Sequence, residues 1–446
     1  MATDGSATRG FATRQLHERA SGDAPTSRAI PIYLTAGFEF DEYEQAAAHF
    51  GEGRGYAYTR IGNPTIETVE HTLAALEGGS QALLVATGQA ATSVALLALL
   101  ESGQHLVSST HIYEGTRGLL RDNFTRLGIE TTFLDTIDDV DAWEAAIRPE
   151  TRALFAESIS NATNRLVDIP ALSAVARRHG IPLVIDNTFA TPYLVRPLEL
   201  GADVVVHSAS KFLAGHGSVL GGAIVDSGRF DAERSGHLFP ALVAPGRGRG
   251  GAPTPSIAER TGGDARIAYA RESIAPRFGP TPSPLNAFLI GQGIETLSLR
   301  VERQSANALA VAQWLETRPE VASVDYVGLP SHPDHALGET LLPDGYGSVF
   351  SFTLRGDVET ARRFVEALEV FTHMTHLGDV RSLVLHPAST SHAPLSAEER
   401  AAVGVLDGTL RVSIGIEDAA DLIDDLARAL EAAVEAAVAA DVALLA

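Results

Sequence analysis

The feature that most constrains the fold is an alternation of short apolar runs with helical stretches, which begins near residue 81. Helical periodicity marks, for example, residues 90–100 and 169–179. The apolar runs lie at residues 82–85, 105–108, 131–134, 153–156, 183–185 and 203–206. Strands that are apolar on both faces and alternate with helices are typical of a mostly parallel sheet with helices on both faces. The sequence therefore predicts an α/β fold whose ligands bind beyond the carboxyl ends of the strands.

A second, smaller α/β region follows. It begins with a long helical stretch at residues 286–316, and strands are predicted at residues 321–327, 348–352 and 409–413. The Ala-rich end, residues 418–446, has the apolar spacing of an amphipathic helix. We therefore expect a main domain over residues 61–284 and a C-terminal domain over residues 285–446.

Two segments do not fit the alternating pattern. Residues 1 to about 55 have weak periodicity, so we expect residues 1–60 to form an extended arm that needs a neighbour to pack against. Residues 228–284 contain several prolines and an Arg/Gly-rich run at 246–251, which predicts an irregular, solvated insertion or a lid. Such a run is also found in RNA-binding segments, but a net charge of −22 disfavours phosphate binding.

The composition excludes several kinds of site and partner. The chain has no cysteine, which rules out disulfides, thiolate metal sites and a cysteine nucleophile. Its acidity argues against nucleic acid or an anionic membrane as the main partner. The N-terminus lacks the apolar core of a signal peptide, and the most apolar stretch, residues 81–100, is interrupted by Thr87, Gly88 and Gln89. We expect a cytoplasmic protein.

Lys211 is the only lysine among 34 Lys and Arg residues. It follows the apolar run at 203–206 and is flanked by Ser208 and Ser210. A desolvated amine loses its proton readily and becomes a nucleophile suited to Schiff-base chemistry, which arginine cannot perform. A bias towards arginine that spared one lysine is the alternative. The position, at the end of a strand and among hydroxyls, favours a functional amine.

Asp186 closes the apolar run at 183–185 and precedes Lys211 by 25 residues. A carboxylate at the carboxyl end of a strand can keep a pyridine nitrogen protonated. Lys211 and Asp186 together therefore fit a site for pyridoxal 5'-phosphate. An aspartate in this position is, on its own, more often structural.

Four further residues are candidates for binding a flat, phosphorylated cofactor. Gly88 lies between a strand and a helix, where a glycine permits close approach and the helix N-terminus offers N–H groups to an anion. Tyr58 and Arg60 lie two positions apart in an extended segment and can grip one phosphate, although an ordinary loop is the alternative. Tyr113 follows a strand and is either a stacking ring or a half-buried core residue.

Arg411, in a late strand, is a candidate for binding a carboxylate, and its alternative is a surface ion pair. The late histidines invite a metal interpretation, but their spacing matches no standard set of ligands, so no metal is expected. They lie at positions 332, 335, 373, 376, 386 and 392.

Several motifs, taken together, resemble the Cys/Met-metabolism family of pyridoxal-phosphate enzymes. They are Tyr58-Thr59-Arg60 with Asn63-Pro64-Thr65, Gly88-Gln89-Ala90, Glu157-Ser158 with Asn161, Asp186-Asn187-Thr188, Ser208-Ala209-Ser210-Lys211, and Leu377-Gly378-Asp379 before His386-Pro387-Ala388-Ser389. The resemblance covers about residues 10 to 430 and implies the fold of type I, aspartate-aminotransferase-like enzymes. Within the family, the chain is most similar to the O-acetylhomoserine sulfhydrylase branch.

The resemblance also implies roles for individual residues. Lys211 would bind the cofactor and shuttle protons, and Asp186 would pair with the pyridine nitrogen. The residues implied to bind the phosphate are Gly88, Gln89, Ser208 and Ser210, joined by Tyr58 and Arg60 from a neighbouring subunit. The remaining implied contacts are Tyr113 stacking on the ring and assisting proton transfer, Asn161 beside the ring hydroxyl, and Arg411, Asn161 and Tyr58 at the substrate. The family implies a homotetramer of catalytic dimers.

The implied reaction is a γ-replacement in which O-acetyl-L-homoserine and sulfide, or methanethiol, give L-homocysteine, or L-methionine, and acetate. Methionine γ-lyase and cystathionine γ-synthase activities stay open, as do the acyl group and the thiol. A non-catalytic binding protein on the same fold is the remaining alternative. The chain departs from the usual family pattern at Ala162, where proline is common, and at His376, where relatives often carry a smaller polar residue.

Overall fold

The computed structural model describes residues 9–18, 27–52, 55–161, 163–247, 251–393 and 395–444. Ala162 and residues 248–250 of the Arg/Gly-rich run lie outside the described residues, as do residues 1–8 of the expected arm and the last two residues of the expected terminal helix.

Strands and helices alternate along most of the described chain. The strands, β1 to β14 in chain order, are Gln81–Val85, His105–Ser109, Glu130–Leu134, Thr151–Glu157, Leu183–Asp186, Val204–His207, Gly222–Asp226, Gly246–Arg247, Pro253–Thr254, Val321–Asp325, Val349–Leu354, Thr372–His373, Leu383–Leu385 and Thr409–Ser413. The α-helices, α1 to α19, are Phe11–His17, Tyr43–Glu52, Pro64–Glu77, Gly88–Leu97, Glu114–Gly118, Val140–Ala145, Ile169–His179, Thr191–Leu194, Ala232–Ser235, Pro240–Val243, Ile257–Thr261, Ala265–Tyr269, Ala275–Phe278, Pro284–Ile294, Leu297–Glu316, His335–Leu341, Val358–Ala367, Ala397–Ala402 and Ala419–Leu444. Short 3₁₀ or π turns span Leu119–Phe124, Gly236–Leu238, Gly262–Asp264, Ala270–Ile274 and Pro387–Ser389.

The central sheet has seven strands in the order β1-β7-β6-β5-β4-β2-β3. Strands β3, β2, β4, β5 and β6 run parallel to one another, whereas β7 is antiparallel to both of its neighbours, β1 and β6. All six strands predicted in this half of the chain are present. The seventh, β7, was not predicted.

The sheet is buried on both faces because alternate side chains of each strand enter different cores. One core contains Leu84, Val107, Ile185 and Val205 and is continued by helices α3, α7 and α14. The other contains Leu83, Leu106, Val184 and Val204 and is continued by α4. The predicted fold class, a mostly parallel sheet with helices on both faces, is therefore confirmed.

Local signals fix the ends of the helices that flank the sheet. The Asn63 side chain accepts the Thr65 N–H at the start of α3, and Pro64 occupies its first position. Gly78 ends α3 with a φ of 72°, a left-handed conformation that favours glycine. Asp168 and Gly180 start and end α7 in the same way. The predicted bounds of α7 match the observed ones.

The prediction of an irregular, solvated insertion at residues 228–284 holds around the Arg/Gly-rich run, where residues 244–247 and 251–255 form a mostly exposed loop with the short strands β8 and β9, and it is wrong for the rest of the segment. Most of the segment between Ala232 and Phe278 is a chain of short helices. Phe239, Leu242 and Ile267 from this segment are buried in the core that contains α4. Three of its eight prolines, Pro240, Pro276 and Pro284, occupy helix first turns, where they start helices rather than prevent them.

The C-terminal domain has a five-stranded sheet in the order β10-β11-β14-β13-β12. The three predicted strands are present, and β12 and β13 were missed. The long helical stretch is broken between Ile294 and Leu297 into α14 and α15. Buried apolar residues of α19, including Leu422, Leu426 and Leu430, recur at helical spacing, which confirms an amphipathic terminal helix.

The sequence predicted an extended N-terminal segment, but the segment is not uniformly extended. It contains α1 and α2, and α1 packs on its own chain, where Gln15 Nε2 donates to Ser298 Oγ at 2.9 Å. Between them, residues 30–40 have no helix, and Gly37 forms an isolated antiparallel bridge with Tyr58. Across the described ranges, no helix has the length and apolarity needed to cross a membrane.

Candidate active site

The candidate site lies at the carboxyl edge of the central sheet, which we define by Glu157, Asp186 and His207, the last residues of β4, β5 and β6. Asp186 Oδ1 accepts hydrogen bonds from the backbone N–H of Thr188 at 3.0 Å and from the Thr188 hydroxyl. That hydroxyl oxygen also accepts the backbone N–H of Ser208 at 2.8 Å, so it links the ends of β5 and β6. Burial raises the pKa of Asp186, and the Thr188 hydrogen bonds and nearby His207 oppose the rise.

Glu157 is the register partner of Asp186 on the adjacent strand. Its Oε1 accepts the backbone N–H of Tyr113 at 2.6 Å, and its Oε2 accepts that of Asn161 at 3.1 Å. Burial first, and then the charge of Asp186, raise the pKa of Glu157 well above its usual value. Because two adjacent buried carboxyls resist double ionisation, this pair holds a proton more readily than a free carboxyl does.

Three buried polar side chains support the segment that carries Asp186. Glu77 Oε1 accepts a hydrogen bond from Asn187 Nδ2 at 3.0 Å and lies 2.6 Å from His207 Nε2. Asn187 Nδ2 also donates to the carbonyl of Val195 at 3.0 Å. Buried polar groups with several partners hold a backbone rigidly. Asn187 follows Asp186 in the chain, so this cluster fixes the position of the carboxylate.

Lys211 lies four residues after the end of β6. Its backbone N–H donates to the carbonyl of Ser208 at 3.1 Å, and its own carbonyl accepts the N–H of Gly215 at 2.7 Å. The amine Nζ is 3.1 Å from His376 Nδ1. Burial, and then the positive charge of Arg411, lower the pKa of Lys211 to about 8. Near that pH a substantial fraction of the amine is unprotonated and nucleophilic.

The start of α4 meets the segment that precedes Lys211. Thr87 Oγ1 accepts the N–H of Ala90 at 3.1 Å, which leaves the N–H groups of Gly88 and Gln89 outside the hydrogen bonding of the helix. A Cβ atom on Gly88 would lie 2.6 Å from Ser208 Cβ and 2.9 Å from its Cα. Only glycine permits this approach, which places a helix N-terminus beside a serine, an arrangement suited to an anion.

Ser210 is buried, and its hydroxyl is already engaged by the chain. It donates to the carbonyl of Gly221 at 3.2 Å and accepts the N–H of Gly221 at 2.9 Å. These bonds fix the turn that carries Lys211. The predicted phosphate contact of Ser210 stays a prediction, since the hydroxyl would have to share or exchange these partners.

Arg411, in β14, brings the C-terminal domain to the site. It is buried, its Nη1 donates to Asn161 Oδ1 at 3.2 Å, and its Nη2 lies 3.4 Å from the carbonyls of Thr375 and His376. None of the acidic residues that the structure describes forms an ion pair with it. Burial lowers the pKa of Arg411 to about 10. A buried guanidinium bound only to neutral oxygens is suited to a ligand carboxylate, and the surface ion pair considered from the sequence is excluded.

Tyr113 is 49% exposed and is therefore not a core tyrosine. Its ring and the Gln89 amide both lie against Gly115, where a Cβ would be 2.4 Å from Tyr113 Cε1 and 2.5 Å from Gln89 Nε2. The tyrosine ring is thereby held close to the start of α4 with one side open.

Tyr58 and Arg60 lie apart from Lys211. The Arg60 guanidinium sits 5.3 Å from the centre of the Tyr58 ring, and its Nη1 donates to the carbonyl of Pro276 at 2.6 Å. Tyr58 is 45% exposed. Within one chain, these contacts leave both side chains at the surface, and their predicted role at a second subunit's phosphate stays a prediction.

The late histidines are dispersed, and the described part of the chain holds no group of acidic and histidine side chains that could bind a metal ion. His386 supports local structure, since its Nδ1 is 2.8 Å from Ser389 Oγ and its Nε2 is 2.8 Å from the carbonyl of Asp407. His335 Nδ1 lies 2.8 Å from the carbonyl of Val327. His376 alone among them contacts Lys211.

Sequence reasoning gave no role to Glu157, His207 or His376. A signal for Glu157 was available, because it is an acid at the end of a buried apolar strand, the same pattern that identified Asp186. No local pattern points to His376, whose importance depends on a contact between residues 165 positions apart.

The assembled side chains fit pyridoxal 5'-phosphate. The close approach of Gly88 to Ser208 forms an anion cradle that any larger residue would fill. A partly neutral amine at Lys211 can bond to an aldehyde carbon, and the Asp186 carboxylate can pair with a pyridine nitrogen.

Comparisons with known proteins agree with this fit. The family of Cys/Met metabolism PLP-dependent enzymes matches residues 12–431. O-acetyl-L-homoserine sulfhydrylase of Corynebacterium glutamicum is 43% identical over 94% of this chain and 96% of the relative. Homocysteine synthase of Schizosaccharomyces pombe is 40% identical over 94% of this chain and 98% of the relative. O-acetyl-L-homoserine sulfhydrylase 1 of Thermus thermophilus is 41% identical over 94% and 99% of the two chains.

A solved structure from Campylobacter jejuni, assigned as an O-acetylhomoserine (thiol)-lyase, superposes with a TM-score of 0.90 at 35% sequence identity. The match covers 95% of this chain and 100% of that chain, which contains N'-pyridoxyl-lysine-5'-monophosphate. The family resemblance seen in the motifs and the expected type I fold are thereby confirmed.

Proposed function

We infer the reaction of this chain from one premise: it belongs to the family of Cys/Met metabolism PLP-dependent enzymes. We propose that it catalyses a γ-replacement on O-acetyl-L-homoserine, in which sulfide displaces acetate and gives L-homocysteine. Methanethiol in place of sulfide would give L-methionine. The observation that carries the proposal is the Lys211 amine, kept partly neutral near a buried Arg411 that has no acidic partner among the described residues. The O-acetylhomoserine sulfhydrylases among its relatives support the choice of substrate.

The site residues divide into those that would hold the cofactor and those that would bind the substrate. The second set is Arg411, Asn161 and Tyr58. Those that would hold pyridoxal phosphate are Lys211, Asp186, Tyr113, Asn161, Gly88, Gln89, Ser208 and Ser210. When bound, the cofactor supplies an electron sink that stabilises negative charge at the substrate Cα. Asp186 would support this by pairing with the pyridine nitrogen, in a position fixed by its hydrogen bonds from Thr188.

Lys211 moves the protons. Its amine, once free, takes a proton from the substrate Cα, because burial lowers its pKa to about 8 and it lies near the guanidinium that would bind the substrate carboxylate. Transfer of a second proton, from Cβ, accompanies the loss of acetate from Cγ. Sulfide then adds at Cγ, and Lys211 returns one proton to Cβ and one to Cα.

Arg411 orients the substrate. Two of its nitrogens face neutral oxygens at 3.2–3.4 Å, which a carboxylate can displace or share. The Asn161 side chain accepts a hydrogen bond from Arg411, and the Asn161 backbone N–H donates to Glu157. Asn161 therefore links the positions of these two residues. This arrangement would bind an amino-acid substrate by its carboxylate.

A product assay tests the proposal. The purified, cofactor-loaded protein would receive O-acetyl-L-homoserine with sulfide and, in parallel, L-methionine without thiol. Homocysteine from the first and no 2-oxobutyrate from the second is the expected result. 2-Oxobutyrate and methanethiol from methionine would make the chain a γ-lyase, and cystathionine formed with cysteine would make it a cystathionine γ-synthase. O-succinyl-L-homoserine, supplied separately, tests the acyl group. No turnover by a cofactor-loaded protein would leave the binding-protein alternative.

We also propose that the functional unit is a cytoplasmic homotetramer in which the N-terminal segment completes a neighbouring site. The support is that Leu34 and Tyr43 expose 70% and 82% of their surface in one chain, as interface residues do. Co-expression of Arg60→Ala and Lys211→Ala subunits tests the sharing. Mixed assemblies should regain activity that neither variant shows alone, and no regain would mean that each chain uses its own Arg60. Sedimentation measures the subunit number, and cell fractionation the compartment.

A further inference from the structure

His376 is the hydrogen-bond partner of the Lys211 amine within the described residues, at 3.1 Å through Nδ1. It also presents its backbone carbonyl to Arg411 Nη2 at 3.4 Å. One residue, reached from the loop after β12, therefore contacts both the amine and the guanidinium of the candidate site.

The contact defines the protonation of the imidazole. Burial, and then the charge of Lys211, lower the pKa of His376 to about 4, so the ring is neutral near neutral pH. Asp379 opposes this fall, and Arg411 and Arg381 add to it. A lysine ammonium can only donate, so we assign Nδ1 as the acceptor and place the ring proton on Nε2. Nε2 is buried and has no partner among the described residues, so no competing bond draws the ring away.

We propose that His376 is a positioning residue for Lys211: its Nδ1 accepts a hydrogen bond from the protonated amine and so holds the proton that Lys211 has taken from the substrate. The proposal rests on the proposed role of Lys211 as the proton carrier. A hydrogen bond to the charged form of a group favours that form. His376 therefore opposes the effect of burial and makes Lys211 a stronger base than the same pocket would without it. It also fixes the direction of a flexible four-carbon side chain.

The single lysine of this chain makes the proposal directly measurable. In the cofactor-free protein, Lys211 and the N-terminal amine are the only amines that acetic anhydride can acylate, and mass spectrometry of the two peptides separates them. The rate of Lys211 acylation against pH gives the pKa of its amine without any substrate or turnover. Failure of the proposed reaction therefore cannot be mistaken for failure of this inference.

Two substitutions separate the hydrogen bond from the shape of the ring. His376→Phe keeps an aromatic ring and removes the acceptor, and it should lower the pKa of Lys211 by about 1. His376→Asn places an amide oxygen near the position of Nδ1 and should restore most of that fall. His373→Phe, at an exposed position three residues earlier, is the matched control and should change nothing.

The loaded enzyme gives a second readout. His376→Phe should lower kcat about tenfold and leave KM for the amino-acid substrate nearly unchanged, since Arg411 is retained. An unchanged pKa of Lys211 in His376→Phe would overturn the proposal, as would an equal fall in His376→Asn. A variant that is less stable but keeps the wild-type pKa at Lys211 would show a merely structural histidine.

Discussion

The two edges of the central sheet each bury an arginine, and the two arginines differ in their partners. At the carboxyl edge, Arg411 donates only to neutral oxygens, and burial lowers its pKa to about 10. At the opposite edge, Arg266 Nε lies 2.9 Å from Asp226 Oδ2, and its Nη1 lies 3.5 Å from Asp203 Oδ1. Burial lowers the pKa of Arg266 too, but the two carboxylates outweigh that effect and raise it overall.

This difference distinguishes a structural cation from one that awaits a ligand. Arg266 finds its counter-charge within the chain, where Asp226 ends β7 and Asp203 precedes β6. Arg411 is buried and Lys211 is half-buried near it, with no carboxylate bound to either among the described residues. Two uncompensated cations are costly to bury. They are therefore expected at a site whose ligand brings negative charge, and the stability of this edge is lower without that ligand.

The largest effect is expected when the Lys211 amine at the carboxyl edge is removed. Lys211→Ala should reduce turnover of O-acetyl-L-homoserine at least about 10⁴-fold, because neither the cofactor bond nor the proton transfers have a substitute. Steady-state assays of the cofactor-loaded variant measure this. Wild-type-like turnover in Lys211→Ala would refute the assignment of the active site to the carboxyl edge.

Removing Arg266, which is paired with two carboxylates, should lower the stability of the protein, whereas removing Lys211 should chiefly lower turnover. Arg266→Leu leaves the buried Asp226 without its partner and should lower the free energy of unfolding by about 3–5 kcal/mol. Arg260→Leu, which breaks the exposed pair with Glu272 in the same segment, should cost less than about 1 kcal/mol. Urea denaturation of both variants gives the comparison, and equal losses would contradict it.

The Lys211 amine has no carboxylate partner among the described residues, so it should destabilise the cofactor-free protein in a pH-dependent way. The pKa of Lys211 is about 8 when folded and 10.5 as a free side chain, so the unfolded chain binds more protons between these values. Lys211→Met should therefore raise stability by about 3 kcal/mol at pH 7, where the burial cost is fully present. The gain should shrink as pH rises from 8 to 10.5. Denaturation of the cofactor-free proteins across that range measures it, and a constant gain would mean that the amine is not desolvated.

The smallest effect is expected at Arg411. Arg411→Leu should lower kcat/KM for O-acetyl-L-homoserine about a hundredfold, chiefly through KM, because a charge-assisted contact to the substrate carboxylate is lost. Stability of the cofactor-free chain should fall little, in contrast to Arg266→Leu. Arg411→Lys tests the geometry, since it keeps the charge and loses the two-nitrogen fork. A large loss of stability in Arg411→Leu would erase the distinction between the two edges.

Much of the site followed from local sequence patterns. Six strands of the central sheet, including the five of its parallel part, were predicted from their short apolar runs, and Asp186 was identified because it ends one of them. The insertion was predicted as a loop because its prolines and glycines have that composition, but this holds only around the Arg/Gly-rich run. In the folded chain, Pro240, Pro276 and Pro284 lie in the first turns of helices, and Phe239 and Leu242 of the same segment supply core residues.

The sequence by itself determined the class of fold, the reactive amine and its acidic counterpart, because each of these is expressed in a few consecutive residues. Tertiary structure alone decided that β7 lies between β1 and β6, that Glu157 lies beside Asp186 on the neighbouring strand, and that Arg411 has no acidic partner in the part of the chain that the structure describes. It also brought His376 to Lys211 across 165 residues. The physical reason is that strand and helix preferences act locally, whereas burial, pairing and pKa depend on which distant side chains are packed together.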